Sequence, residues 1–217
     1  MTMVQMVLLA KSCKNGEYCV GGIDLKTNRW IRLVTDNEAT HGAVSAKDLT
    51  TADGQEAGVL DVIEAPLVHA CPTVIQPENY LLDQTRQIRI IRRMTLDQVL
   101  AFHKPEGRSM VYYNALHSVP ESTMNAMRSH YSLIMIRVSD LTLHYEVNSQ
   151  GRVKLKSSFD YNSPTRGMIH YEHISVTDPE YFGDDAPTEI GDAILVISLG
   201  EVFNGNHYKY VASIFPL

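Results

Sequence analysis

Residues 8–34 read LLAKSCKNGEYCVGGIDLKTNRWIRLV, and how this stretch divides decides the fold. Short runs rich in apolar and β-branched residues, LLA, YCVGGIDL and WIRLV, are separated by KNGE and KTNR, which place Asn or Gly where a tight turn needs positive φ. That is the pattern of three strands joined as a meander. The first strand starts earlier, in MVQMVLLA (3–10), an apolar run too short to span a bilayer and without a basic leader. Beyond the meander, ADGQE (52–56) precedes a further strand, VLDVIEAPLV (59–68).

Farther along the chain the periodicity changes twice. TLDQVLAFH (95–103) and PESTMNAMRSH (120–130) carry helix formers behind Thr95 and behind Pro120 or Ser122, so two short helices are expected between residues 73 and 130. Strand patterns then return as SLIMIRV, DLTLHYEV, RVKLKSSFDY, IHYEHISV, AILVISL and YKYVASIF, with NSQG, NSPTRG and DPEYFGDDAP as turns. The expected organisation is a β unit over 1–72, a helical connector with a bridging segment over 73–130, and a second β unit over 131–217. There is no βαβ rhythm and no solenoid repeat. Pattern alone leaves two small barrels or one sandwich open.

Composition narrows the function. The chain has 217 residues, 44% of them hydrophobic, enough for one large core or two small ones. A net charge of −6 argues against non-specific duplex binding through a basic surface, so any nucleic-acid or nucleotide site must be local. Cys13, Cys19 and Cys71 form no CxxC pair and fit a reducing cytoplasm.

Motifs for catalysis are absent. No GxSxG elbow occurs, Ser198 falls inside a strand, and no GxxxxGK[ST] loop is present. In HYEH, strand alternation puts His170 and Glu172 on one face and turns His173 away, leaving at most two ligands, so no metal site is expected. His69 and Cys71 add none. Asp160, Asp178, Asp184 and Asp185 have no nuclease-like spacing and read as turn caps. We therefore expect a binding protein with no catalytic residues and no cofactor, an enzyme acting on a nucleotide or nucleic acid being the less favoured reading.

Five stretches, in order, resemble the dual OB-fold domain family, bacterial proteins with two oligonucleotide/oligosaccharide-binding barrels in one chain. They are the opening LLAKSCKNGEYCVGGIDLKTNRWIRLV, then VLDVIEAPL, QPENYLLD, SVTDP, and the closing IGDAILVISLGEVFNGNHYKYVASI. This sequence has Tyr80 where the family favours tryptophan and Leu33 where proline often follows the arginine. The resemblance implies a mainly β protein, two OB-like barrels joined by a helical connector. It also implies a module for single-stranded nucleic acid or a small nucleotide, in a phage-defence or counter-defence setting. A protein partner is the alternative, and no membrane association is implied.

Barrels of this kind bind on strands two and three. Alternation places Trp30 and Arg32 on one face of WIRLV and Ile31 and Leu33 on the other, so an indole and a guanidinium become neighbours, with Trp30 as a core residue the competing reading. Lys11, Ser12 and Lys14 in the KSCKNG loop are candidates to meet a phosphate. Gly21 and Gly22 mark a bend or a close approach. Asn79 and Tyr80 in QPENYLLD suit base recognition and stacking, although a hydrogen-bonded staple between the barrels would use the same residues. In the last hairpin a type I′ turn at Asn204-Gly205 pairs Phe203 with Asn206, Gly200 with Lys209 and Glu201 with Tyr208. Leu195, Ile197, Leu199, Tyr208, Tyr210, Ala212 and Ile214 then form a core face, and Ser198, Gly200, His207 and Lys209 a candidate ligand face.

Overall fold

The computed structural model describes residues 2–14, 16–147, 151–183 and 187–217. Asp184, Asp185, most of the NSQG turn, Asn15 of KNGE and the side chain of Lys14 lie outside the described residues. The chain divides into two compact units, Met1–Lys104 and Pro105–Leu217.

The first unit contains β1 (Thr2–Lys14), β2 (Glu17–Asp24), β3 (Trp30–Val34), β4 (Asp61–Ala70), β5 (Asn79–Leu82), β6 (Arg89–Arg93) and α1 (Leu96–Phe102). Strands pair in the order β1-β2-β3-β5-β4, and β4 returns to β1, which closes a five-stranded barrel with β6 appended to β4. β3 and β5 run parallel; the other pairs are antiparallel. β1 serves two neighbours, its first half pairing with β4 and its second with β2. A bulge between Leu8 and Ala10 bends it between these duties. Gly22 lies opposite Leu8 at this bend, and a Cβ there would sit 2.1 Å from the Val7 carbonyl oxygen. Close approach of two backbones is why the position is glycine. Met6, Leu8, Val20, Ile31, Leu33, Ile63, Leu67, Leu82 and Ile88 fill the interior. Each buried aliphatic side chain contributes about 1.5–3 kcal/mol.

The second unit contains β7 (Ser118–Pro120), α2 (Glu121–Ala126), β8 (Leu133–Val147), β9 (Val153–Ser163), β10 (Gly167–Val176), β11 (Glu189–Phe203) and β12 (Asn206–Pro216). Its strands pair as β10-β9-β8-β11-β12, with a parallel contact from β12 back to β10. This is the connectivity of the first ring, strand for strand. Aromatic residues join the aliphatic ones in its interior: Phe159 and Tyr171 stack at 5.3 Å, and the Tyr171 hydroxyl accepts from Val111 N at 2.8 Å. The Tyr112 hydroxyl donates to Ile197 O at 2.8 Å. Among the described residues, no helix is long and apolar enough to cross a membrane.

Both short helices form, α1 with a complete capping box between Thr95 and Gln98 and α2 directly after Pro120. The stretch expected as a connector instead supplies β5, β6 and α1 to the first unit and β7 and α2 to the second. SLIMIRV and DLTLHYEV form one strand, β8, kinked at Asp140 with φ 51°. Lys11–Lys14 of KSCKNG are strand rather than loop, because β1 runs on to Lys14, which pairs with Glu17 at the start of β2.

The last hairpin needs a larger correction. Asn204 and Gly205 do take positive φ, and Phe203 pairs with Asn206. A bulge between Leu199 and Val202 then brings Lys209 opposite Leu199 rather than Gly200. A second shift, between Val211 and Ser213, breaks the alternation that carried the core face back from Ile214 to the tyrosines. Consequently His207 and Lys209 are buried, at 3% and 1% exposure, while Tyr208 and Tyr210 are half-buried. Gly200 makes room for the Tyr210 ring, since a Cβ there would lie 2.8 Å from Cε2.

Candidate functional site

In the first unit β3 divides by alternation. Ile31 and Leu33 enter the core, so Trp30 and Arg32 stand on the outer face. Trp30 is half-buried and meets the His103 ring edge-on, with centroids 5.8 Å apart. His103 follows α1, and its Nδ1 is 2.7 Å from Asn28 Oδ1. Asn28 Nδ2 also donates to Phe102 O at 3.2 Å, which ties the β2–β3 turn to the helix end. Within that turn, Asp24 accepts from Lys26 N and from the Thr27 hydroxyl. Lys26 and Arg29 of this turn are exposed. The Trp30 and His103 rings therefore form an aromatic patch outside the barrel, with two cations within four positions of Trp30 in the chain.

Next to this patch lies a buried polar row. Arg32 is 5% exposed and pairs in register with Asn79 across the parallel β3–β5 junction. Its backbone N–H donates to Glu78 O at 2.8 Å. Asn79 Nδ2 donates to Gln76 Oε1 at 3.2 Å, whereas Asn79 Oδ1 is buried without a hydrogen-bond partner among the described residues. Thr85 donates from both N and Oγ1 to Asp83 Oδ1, which holds the Asp83 carboxyl below its ordinary range. Tyr80 is half-buried against the core.

Lys11 and Ser12 lie elsewhere, at the far end of β1. The Lys11 ammonium bonds Glu56 Oε1 and, at 2.9 Å, Ala57 O, and rests 4.6 Å from the Tyr18 ring centre. Ser12 is buried at 4% exposure. Lys14 pairs with Glu17 at the hairpin end.

In the second unit Ser198, Gly200, His207 and Lys209 fall on β11 and β12. The Lys209 Nζ donates to Asn114 O at 2.7 Å and Asn114 Oδ1 at 2.9 Å, and lies 5.0 Å from the Tyr171 ring centre. Among the described residues no carboxylate pairs with it, and burial pushes its ammonium down to about 7. His207 Nδ1 is 2.9 Å from Gly200 O. Ser198 is buried at 7% exposure.

Two clusters escaped the reading of the sequence. The first is the run RQIRIIRR (86–93), which places exposed Arg86, Arg89, Arg92 and Arg93 on or next to the edge strand β6. Arg89 is tied to Glu64 at 3.2 Å and Arg93 to Asp61 at 3.0 Å. Its signal, four arginines in eight residues of an acidic chain, was legible. The second is His144, Glu146 and His173, whose ligand atoms lie within 4.8 Å of one another. His144 Nε2 is 2.9 Å from Glu146 Oε1, and His173 Nδ1 shares that same oxygen. His170, by contrast, sits between Asp160 and Glu172, and the Asp160 hydrogen bond raises its pKa. His173 does not turn inward as strand alternation requires, because a bulge interrupts β10 between Tyr171 and Ile174.

A family model described as a dual OB-containing domain matches residues 4–214. No curated protein and no solved structure matches.

Proposed function

The chain belongs to the dual OB-containing domain family, and from that premise we propose that its first unit binds single-stranded nucleic acid or a nucleotide-derived ligand on the outer face of β2 and β3. The observation that carries this reading is Trp30. It lies outside the core, partly exposed, with His103 at its edge and the exposed Lys26 and Arg29 in the turn that precedes it. A base stacked on the indole contributes about 1–3 kcal/mol, and the two cations suit the attached phosphate. The acidic net charge of −6 favours a short ligand over a long strand. A short nucleotide signal would also suit the defence setting that the family resemblance suggests. Asn79, with a buried acceptor to spare, and Arg32 brace the floor of this face.

The test uses the fact that Trp30 is the single tryptophan of the chain. Mononucleotides, cyclic dinucleotides and short oligonucleotides are screened for a rise in melting temperature, and each hit is then titrated against intrinsic fluorescence. A ligand stacked on Trp30 quenches the emission and raises the melting temperature together. A melting shift without quenching moves the site to another face, and no shift across the set removes the reading.

A second reading, a module that scaffolds or neutralises a protein partner, draws on the tip of the β11–β12 hairpin. Val202 and Phe203 are exposed there, at 47% and 66%. Binding of that kind would be insensitive to nucleotides and weakly dependent on salt.

A further inference from the structure

We propose that His144, Glu146 and His173 form a binding site for a divalent transition-metal ion of the zinc class on the second unit, with at least one coordination position open to solvent. The site is independent of the nucleotide reading and lies on strands β8 and β10.

In an unbroken strand His173 would follow Tyr171, two residues earlier, into the barrel interior. Between these residues β10 instead carries a bulge: Tyr171 pairs with Phe159 and Ile174 with Ser157, so Glu172 and His173 together oppose Ser158. His173 reaches this arrangement at φ 59°, in a region that non-glycine residues with bulky side chains rarely occupy. A strained residue of this kind costs on the order of 1–3 kcal/mol and persists where its surroundings hold it. Lys156 does part of the holding, since its Nζ donates to His173 O at 3.1 Å and to Ser175 Oγ at 3.0 Å. The result is that the imidazole leaves the interior and meets Glu146, 27 positions earlier in the chain. Bulges that re-aim one side chain recur beside functional sites.

The donor set identifies the ion. Two imidazole nitrogens and one carboxylate oxygen suit zinc and its first-row neighbours, whereas magnesium and calcium prefer all-oxygen shells. Tetrahedral zinc with bonds of about 2.0–2.1 Å needs ligand atoms roughly 3.3 Å apart. The present spacings bracket that value: 2.9 Å between His144 Nε2 and Glu146 Oε1, and no more than 4.8 Å for any pair. The His144 and His173 rings already meet edge to face, with centroids at 6.1 Å. Both imidazoles converge on one carboxylate oxygen, so the ion would take the place of the hydrogen-bonding protons between them, each imidazole presenting a bare nitrogen to the metal.

The experiment titrates Zn²⁺ calorimetrically into untagged, chelator-treated full-length chain, and Co²⁺ into the same sample with visible absorption as the readout. We expect one equivalent of Zn²⁺, a Co²⁺ spectrum of low coordination number, and no competition from excess Mg²⁺. Glu146→Gln and His144→Ala should each weaken binding by more than about tenfold, because two ligands leave the shell incomplete. His173→Ala should do the same. Circular dichroism confirms that each variant is folded, and Glu146→Gln, which keeps the side-chain shape, serves if a histidine variant is not. His170→Ala, on the same strand but outside the trio, should bind as wild type. Absence of saturable Zn²⁺ binding overturns the proposal. So does wild-type affinity in Glu146→Gln, or loss of binding in His170→Ala alone.

Discussion

Replacing Lys209 with methionine should change how stability depends on pH, and the size of the change follows from the burial of one ammonium. Lys209 is 1% exposed, donates to Asn114 O and Oδ1, and has its pKa pushed down to about 7. The unfolded chain holds its lysine proton up to about pH 10.4. Between those values the unfolded state binds more protons, so stability rises with pH; below about 7 both states are charged and the full desolvation cost is felt. From about pH 7 to about pH 9.5 the wild type should gain about 3 kcal/mol from this residue, at 1.36 kcal/mol per pH unit and proton. Lys209→Met keeps the stem, loses the titration, and strands the Asn114 acceptors at a cost of about 1–3 kcal/mol that does not vary with pH. Thermal unfolding of both proteins across this window measures the difference. The Tm of the wild type relative to the variant should rise by roughly 6–12 °C from the lower to the upper pH. Groups common to both proteins cancel, and His117, whose pKa burial lowers, titrates below the window. Parallel Tm–pH curves would show that Lys209 is hydrated or paired in a way that defeats the burial argument.

Gly22→Ala should destabilise the first unit by more than about 3 kcal/mol, because its Cβ meets the Val7 carbonyl at 2.1 Å and backbone must move; urea unfolding reads it. Asp178→Asn replaces a buried carboxylate that accepts from both Glu180 N and Ile214 N, leaving one donor facing an amide NH₂, and should cost about 1–3 kcal/mol near pH 7. Burial raises the Asp178 carboxyl to about 6, so wild-type stability from this group is full below about pH 4 and declines as pH rises through about 6, a slope the variant lacks. Trp30→Ala should abolish nucleotide-dependent melting shifts while lowering the basal melting temperature little, whereas Arg32→Ala, buried on the same face, should lower the basal temperature as well.

The first barrel was readable because its strands alternate cleanly and its turns carry Asn and Gly, and the sorting of Trp30 and Arg32 from Ile31 and Leu33 follows from that alternation alone. Strand β5 was not readable as a strand: four residues form a parallel ladder with β3, and polar Asn79 occupies a buried position that periodicity assigns to apolar residues. The second barrel misled at its bulges. One residue skipped in β11 and another in β12 put Lys209 and His207 inside, and a lysine in the interior contradicts every compositional prior. The same device concealed the histidine pair with Glu146, since a bulge in β10 is invisible in HYEH yet decides where His173 points. Errors of this kind share one cause: period-two reasoning holds only as far as the next extra residue.

The two rings share a connectivity and a short parallel junction, which in the first joins β3 to β5 through three residue pairs. In the second, β10 meets β12 through Ser175–Tyr210 and Val176–Val211, and the junction is prolonged by Thr177, whose N and Oγ1 both donate to Val211 O, and by Ile214 N donating to the Asp178 carboxylate. A closed ring opens at its shortest junction, so the fluctuation of lowest free energy in this unit parts β10 from β12 and leaves the other four junctions intact. In hydrogen-exchange terms, Thr177 and its neighbours at this seam form the fast-exchanging latch of an otherwise slow sheet. A partner able to add a strand would find its entry there.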